Sequence, residues 1–278
     1  MKTRLKLALF LIIGLTYTKA SAASLDTLEV FSAAMKKSVK TIVITPQSAQ
    51  ASHRVPSVYV LHGYSGNPGR TIRQDIPTLV ERADEYGMLI VIPDGGFDSW
   101  YLNSPKVSSI QYATFIGQEL PDYVDQHYPT LSNRAHRAIC GWSMGGHGAL
   151  TIGIEYPKQY GAVGSMCGAV DFRPYGKAYG ISKALGDKTS DWDAYTVMTQ
   201  ACQFSSTQQK IMIDCGTEDP FIQDNRKLHE LLLQQKIAHD YTERPGDHSW
   251  HYWSKAAEYQ LLYFHLFFKS SPETLGKN

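Results

Sequence analysis

"RAICGWSMGGHGALTIG", Arg137 to Gly153, opens as an apolar strand-like run and turns into an alanine- and glycine-rich helical pattern. Ser143 stands at the junction, with Gly141 and Gly145 on either side of it. A small-residue turn between strand and helix accounts for the glycines alone. A nucleophile elbow accounts for both glycines and serine, because it holds an exposed hydroxyl on a strained turn that bulkier neighbours would block. The helix that follows would aim its N-terminal N–H groups and positive dipole end at that hydroxyl. By itself G-x-S-x-G recurs by chance; the strand before and the helix after it are what favour the elbow.

Outward from this junction, short apolar runs alternate with helical periodicity. Strands are predicted at Ser38–Pro46, Ser57–Gly63, Met88–Gly95, 137–142, Ala162–Val170, Lys210–Gly216 and His239–Gly246. Helices are predicted at Ile76–Gly87, Tyr112–Tyr128 with a kink near Pro121, from Met144 onward, Ile222–Lys236 and Trp253–Phe268. Residues 171–208 are the least regular stretch and a candidate cover for a site. Such alternation implies an α/β fold: a mostly parallel central sheet with helices on both faces. Sites in that architecture form at the carboxyl ends of the strands.

A serine hydroxyl needs a base and an orienting carboxylate. His248, in the turn after the last predicted strand, has the position expected when the order is Ser, acid, His. His251 is its nearest rival. His147, one turn past Ser143, reads as local packing, and His62, His127, His136 and His265 as surface or core residues. The acid is expected in "TEDPF", Thr217 to Phe221, after the strand "KIMIDCG". Asp219 is preferred and Glu218 is the alternative; Asp214, inside the strand, reads as a buried acceptor. An oxyanion needs two donors, expected from the main-chain N–H groups of Met144 and of Tyr64 in "YVLHGYSGN". Tyr64, Trp100, Trp142 and Trp250 are candidates for lining a substrate pocket, with Tyr101 and Tyr175 as further aromatic candidates.

Composition removes several function classes. Of 278 residues 19% are charged and the net charge is +1, so no electrostatic feature proposes nucleic acid as a partner. Lys2, Arg4 and Lys6, the apolar run Leu7–Leu15 and Ala20-Ser21-Ala22 describe a signal peptide over residues 1–22. The apolar run is about half of the roughly 20 residues a membrane span needs, so no stable membrane anchor is expected. The expected location is secreted or periplasmic, with residues 23–278 forming one domain. The four cysteines lack metal-ligand spacing; one bridge, Cys167 with Cys202 or Cys215, would be compatible with export. No metal and no organic cofactor is indicated.

Five blocks, "YVLHGYSGN", "IPDGGFDSWY", "GWSMGGHGAL", "CGTEDPF" and "GDHSWHYW", occur in this order across most of the mature chain. Together they resemble an esterase family of the α/β-hydrolases that includes feruloyl and acetyl-xylan esterases, S-formylglutathione hydrolases, tributyrin-type esterases and mycolyltransferases. The resemblance implies the α/β-hydrolase fold. It implies Ser143, Asp219 and His248 as nucleophile, acid and base, and Tyr64 and Met144 as the oxyanion positions. It gives Trp100-Tyr101 a supporting role beside the site. The loop here reads "HGYSGN" rather than the cysteine-containing loop of the cytosolic S-formylglutathione hydrolases. An exported serine carboxylesterase acting on feruloyl or acetyl esters of plant polysaccharide is therefore favoured, with small generic acyl esters next. Acyl transfer to a sugar acceptor, an S-formylglutathione hydrolase-like thioesterase and a catalytically idle binding protein are the alternatives.

Overall fold

The structure, a computed structural model, describes residues 22–270. The predicted signal peptide, apart from Ala22, lies outside the described residues. Eight strands form one sheet: β1 (Ser24–Ser32), β2 (Lys37–Thr45), β3 (Ser57–Leu61), β4 (Leu89–Pro93), β5 (Arg137–Trp142), β6 (Ala162–Met166), β7 (Lys210–Gly216) and β8 (Asp240–Arg244). Their order is β1-β2-β4-β3-β5-β6-β7-β8. β1, β2 and β4 pair antiparallel, and every pair from β4 onward to β8 is parallel. The α/β-hydrolase expectation is met.

The interior strands read as unbroken apolar runs because both faces are covered, as a parallel sheet requires. Alternate residues divide between the faces: Tyr59, Leu61, Val91, Ile139 and Val163 pack on one side, and Val58, Val60, Ile90, Ala138 and Cys140 on the other. Five main helices cover them: α1 (Leu79–Tyr86), α2 (Leu120–His127), α3 (Met144–Glu155), α4 (Ile222–Gln234) and α5 (Trp250–Lys269). α1 and α5 cover the face that carries Val58, and α3 and α4 the opposite face. At about 1.5–3 kcal/mol for each large apolar side chain taken out of water, this double burial is what holds the sheet.

The elements differ from expectation where local signals are weak. β1 carries no clear apolar alternation because it is the exposed edge strand, and sequence periodicity does not announce it. The helix around Pro121 accommodates the proline differently from a simple kink. A π-helical turn at Phe115–Glu119, closed by the Leu120 N–H on the Phe115 carbonyl, runs directly into α2, so Pro121 lies where the hydrogen-bond register has already changed. Residues 171–208 fold into short helical turns, Gly176–Tyr179, Ile181–Leu185, Thr189–Tyr195, Val197–Gln200 and Ala201–Ser206. α5 starts three residues earlier than its apolar period suggests.

α3 packs against β3 closely enough to leave no room for a side chain at Gly145, in its first turn, or at Gly141, two residues before Ser143. A Cβ at Gly145 would overlap the Leu61 carbonyl oxygen of β3, and one at Gly141 would stand 2.5 Å from that oxygen and from the Gly145 carbonyl. Because the obstacle is backbone, relaxation cannot relieve it. Gly145→Ala should destabilise the fold by about 3 kcal/mol, lowering the melting temperature by about 6–12 °C for a domain of this size. An unchanged melting curve would contradict the packing described.

Candidate active site

The parallel strands end on one edge of the sheet, and the loops after β3, β5, β6, β7 and β8 meet there. Ser143 follows β5 directly, with φ 56° and ψ −121°. That left-handed φ is strained for a residue with a Cβ. Main-chain hydrogen bonds hold it: the Ser143 N–H donates to the Met166 carbonyl (3.1 Å), and the Ser143 carbonyl accepts from His147 and Ala169 (3.1 Å each). The turn projects the Ser143 side chain away from the sheet, and Met144 begins α3 with an N–H that has no carbonyl four residues back in the helix.

His248 Nε2 lies 2.9 Å from Ser143 Oγ, and His248 Nδ1 lies 2.6 Å from Asp219 Oδ2. Nδ1–H donating to the carboxylate leaves Nε2 free to accept the hydroxyl proton. Asp219 is buried, and its Oδ1 accepts from the Phe221 N–H at 2.8 Å. Phe221 and Trp253 each set a ring edge-on to His248 at 5.0 Å, fixing the imidazole plane. Burial pushes the His248 pKa down, but the hydrogen bond and charge of Asp219, with the Cys167 sulfur beside them, raise it to about 9.

The rivals separate cleanly. Glu218 is exposed. Asp214 is buried inside β7 and bonded to Tyr252 Oη (2.5 Å) and to Arg244. His251 is exposed and stacked on Trp250 at 3.6 Å. His147 is buried, donates from Nε2 to the Tyr195 carbonyl (2.9 Å), and is pushed by burial down to about 4, so it stays neutral.

The loop after β3 is built by residues that the sequence left as packing. His62 is fully buried. Its Nδ1–H donates to the Gly63 carbonyl (2.8 Å), and its Nε2 accepts the Gly95 N–H (2.8 Å). Tyr101 Oη donates to the His62 carbonyl (2.9 Å). The Ser65 N–H donates to the Phe97 carbonyl (2.8 Å) and the Gly66 N–H to Gly63 (3.0 Å). Among the described residues the Tyr64 N–H has no protein acceptor. Trp100 and Tyr101 both take positive φ, 54° and 58°, and Trp100 Nε1–H reaches the Tyr179 carbonyl at 2.8 Å.

Ser143 and His248 open into a pocket of about 240 Å³. Tyr64, Trp100, Trp142 and Tyr175, named above as pocket candidates, line it together with Phe221 and Trp253. Trp250 does not: it is the first residue of α5, 37% exposed, and Trp253 one turn on takes the place expected for it. Tyr175 and Tyr179 bring the irregular 171–208 stretch into the wall. Arg70 and Asp75 also line the pocket; nothing in their spacing announced them.

All four cysteines are thiols. Cys202 is exposed and apart, while Cys167 and Cys215 bring sulfurs within 4.8 Å of each other and of an Asp219 oxygen. The Asp219 oxygens already have donors and the Cys167 thiol keeps its proton, so this trio does not suit a metal ion. Among the described residues no helix is long and apolar enough to cross a membrane.

The chain is 27% identical over 248 residues to an acetyl esterase of Caldicellulosiruptor saccharolyticus, covering 81% of this chain and 92% of that protein. It is 26% identical to an S-formylglutathione hydrolase of Rattus norvegicus over 78% of this chain and 85% of the relative. A solved ferulic acid esterase superposes with a TM-score of 0.73 at 22% identity, over 89% of this chain and 99% of that one. Residues 32–262 match the family model described as "Putative esterase", and the chain belongs to that family of α/β-hydrolase enzymes.

Proposed function

We propose that the chain is an exported carboxylic-ester hydrolase working through Ser143, His248 and Asp219. The observation that carries this is the relay of 2.9 Å from Ser143 to His248 and 2.6 Å from His248 to Asp219. His248 Nε2 takes the Ser143 proton as Oγ bonds to the ester carbonyl carbon. The N–H groups of Met144 and Tyr64 receive the resulting oxyanion. His248 then gives the proton to the departing alkoxide, leaving an acyl-serine. Water, deprotonated by the same imidazole, attacks the acyl carbon and returns Ser143 with release of the acid. Asp219 keeps Nδ1 protonated and stabilises the imidazolium.

The pocket favours a compact acyl group. Its volume, about 240 Å³, falls under the roughly 300–1,000 Å³ of a drug-sized site. Its walls are aromatic: Tyr64, Trp100, Trp142, Tyr175 and Trp253. Acetyl and single-ring acyl groups such as feruloyl suit that lining, and the acetyl esterase and ferulic acid esterase relatives agree with it. The basic start, short apolar run and small-residue site at residues 1–22 support export.

Ser143→Ala should lower kcat for 4-nitrophenyl acetate by about 10³-fold or more while the melting temperature holds; equal rates in both proteins would defeat the proposal. The pH profile has a determined sign. His248 must be neutral to accept the proton, and its pKa is raised above 6.5, to about 9. Activity should therefore rise with pH along a limb lying well above 6.5 and fall away as His248 protonates. Asp219→Asn removes the group that raises it, so that limb should move to lower pH while kcat drops by about 10⁴-fold. A wild-type limb at or below pH 6.5, or one unmoved by Asp219→Asn, would contradict this.

A further inference from the structure

Arg70 is a charged residue in an otherwise largely aromatic pocket wall. It lies in a short helical turn, Pro68–Arg70, that follows the loop carrying Tyr64 and runs on into a π-helical turn, Thr71–Asp75; its main-chain N–H is held by Asn67 Oδ1 at 2.9 Å. Its guanidinium is tethered by one nitrogen only: Nε donates to Asp75 Oδ1 at 3.2 Å. Asp75 is 2% exposed and the Arg70 side chain 38%. Both residues line the pocket, the carboxylate almost wholly enclosed and the guanidinium partly open to solvent. Neither Nη1 nor Nη2 has an acceptor among the described residues. Those two nitrogens form the planar edge that matches a carboxylate bidentately.

Burial pushes the Asp75 carboxyl up in pKa, and Arg70 opposes that shift. A buried carboxylate with one cation as its partner is costly to keep for packing alone. It is well suited to fixing the direction of an arginine whose outer edge has other work. His248, the other side chain of the pocket lining that can carry a positive charge, is committed to Asp219.

We propose that Arg70, oriented by Asp75, is an anion-recognition residue of the Ser143 pocket, selecting esters that carry a carboxylate on the acyl or alcohol part. This rests on the esterase reading of Ser143. It narrows the substrate class from any compact ester to one that carries a carboxylate.

Two matched pairs test it: 4-nitrophenyl hemiglutarate against 4-nitrophenyl valerate for the acyl side, and 4-acetoxybenzoate against its methyl ester for the alcohol side. The readout is the ratio of kcat/KM for the anionic member to that for the neutral member. A charge-assisted contact predicts that Arg70→Gln lowers this ratio by about 10-fold or more in one pair, and that Arg70→Lys restores part of it. In the unsubstituted protein the same ratio should fall as sodium chloride is raised, a test needing no variant. A purely structural role for Arg70 would change both members of a pair alike. Ratios unmoved by Arg70→Gln and by salt in both pairs would overturn the inference while leaving ester hydrolysis intact. Absence of Ser143-dependent turnover on all four esters would overturn the esterase reading and this inference with it.

Discussion

The site depends on a serine held where its own backbone resists it. Ser143 keeps φ at 56° because Met166, His147 and Ala169 hold its main chain, and because β3 lies directly against the first turn of α3. Strain of this kind persists only where the surroundings over-determine it. Here the surroundings are the parallel sheet itself: β5 delivers the serine, β3 leaves no space beside it, and β6 supplies the carbonyl that receives its N–H. The elbow is thus a product of sheet packing. The same tightness explains the small residues around the serine, since any Cβ at Gly141 or Gly145 would meet main chain.

Electrostatics then divides the labour among loops on one edge. β7 ends in a buried carboxylate, β8 leads to an imidazole, and the 2.6 Å contact between Asp219 and His248 outweighs the burial that would strip His248 of its proton. The balance is a compromise. In the proposed mechanism, a partner strong enough to stabilise the imidazolium during reaction would also hold the resting proton more tightly and move the useful pH upward. Trp253, Phe221 and the Tyr175 segment enclose the imidazole and limit water around it, which strengthens each of these contacts.

Much of this was legible in the chain because it follows from order and period. The strand–serine–helix junction, the acid after β7 and the histidine after β8 appear in a fixed order that needs no long-range knowledge. Choosing Asp219 over Glu218 required knowing which side of a turn faces in; both precede Pro220, and burial and the contact with His248 distinguish them. Trp250 and Trp253 show the limit of periodicity, because the start of α5 decides which indole reaches the pocket. β1 stayed hidden as an exposed edge, and the π turn before Pro121 has no spacing signature. His62 and Arg70 were not readable for a different reason. Each acts through a partner distant from the strand-end motifs or set in an irregular turn: His62 through the Gly95 N–H, Arg70 through Asp75.

The central claim is that Ser143 is the nucleophile of this edge of the sheet. Its most direct test is covalent capture: treat the protein with a fluorophosphonate, digest it, and locate the added mass by tandem mass spectrometry. The account predicts a single phosphonylated serine at position 143, with labelling slowed as pH is lowered and His248 takes up a proton. Labelling at another serine, or none under conditions where esters are hydrolysed, would contradict it.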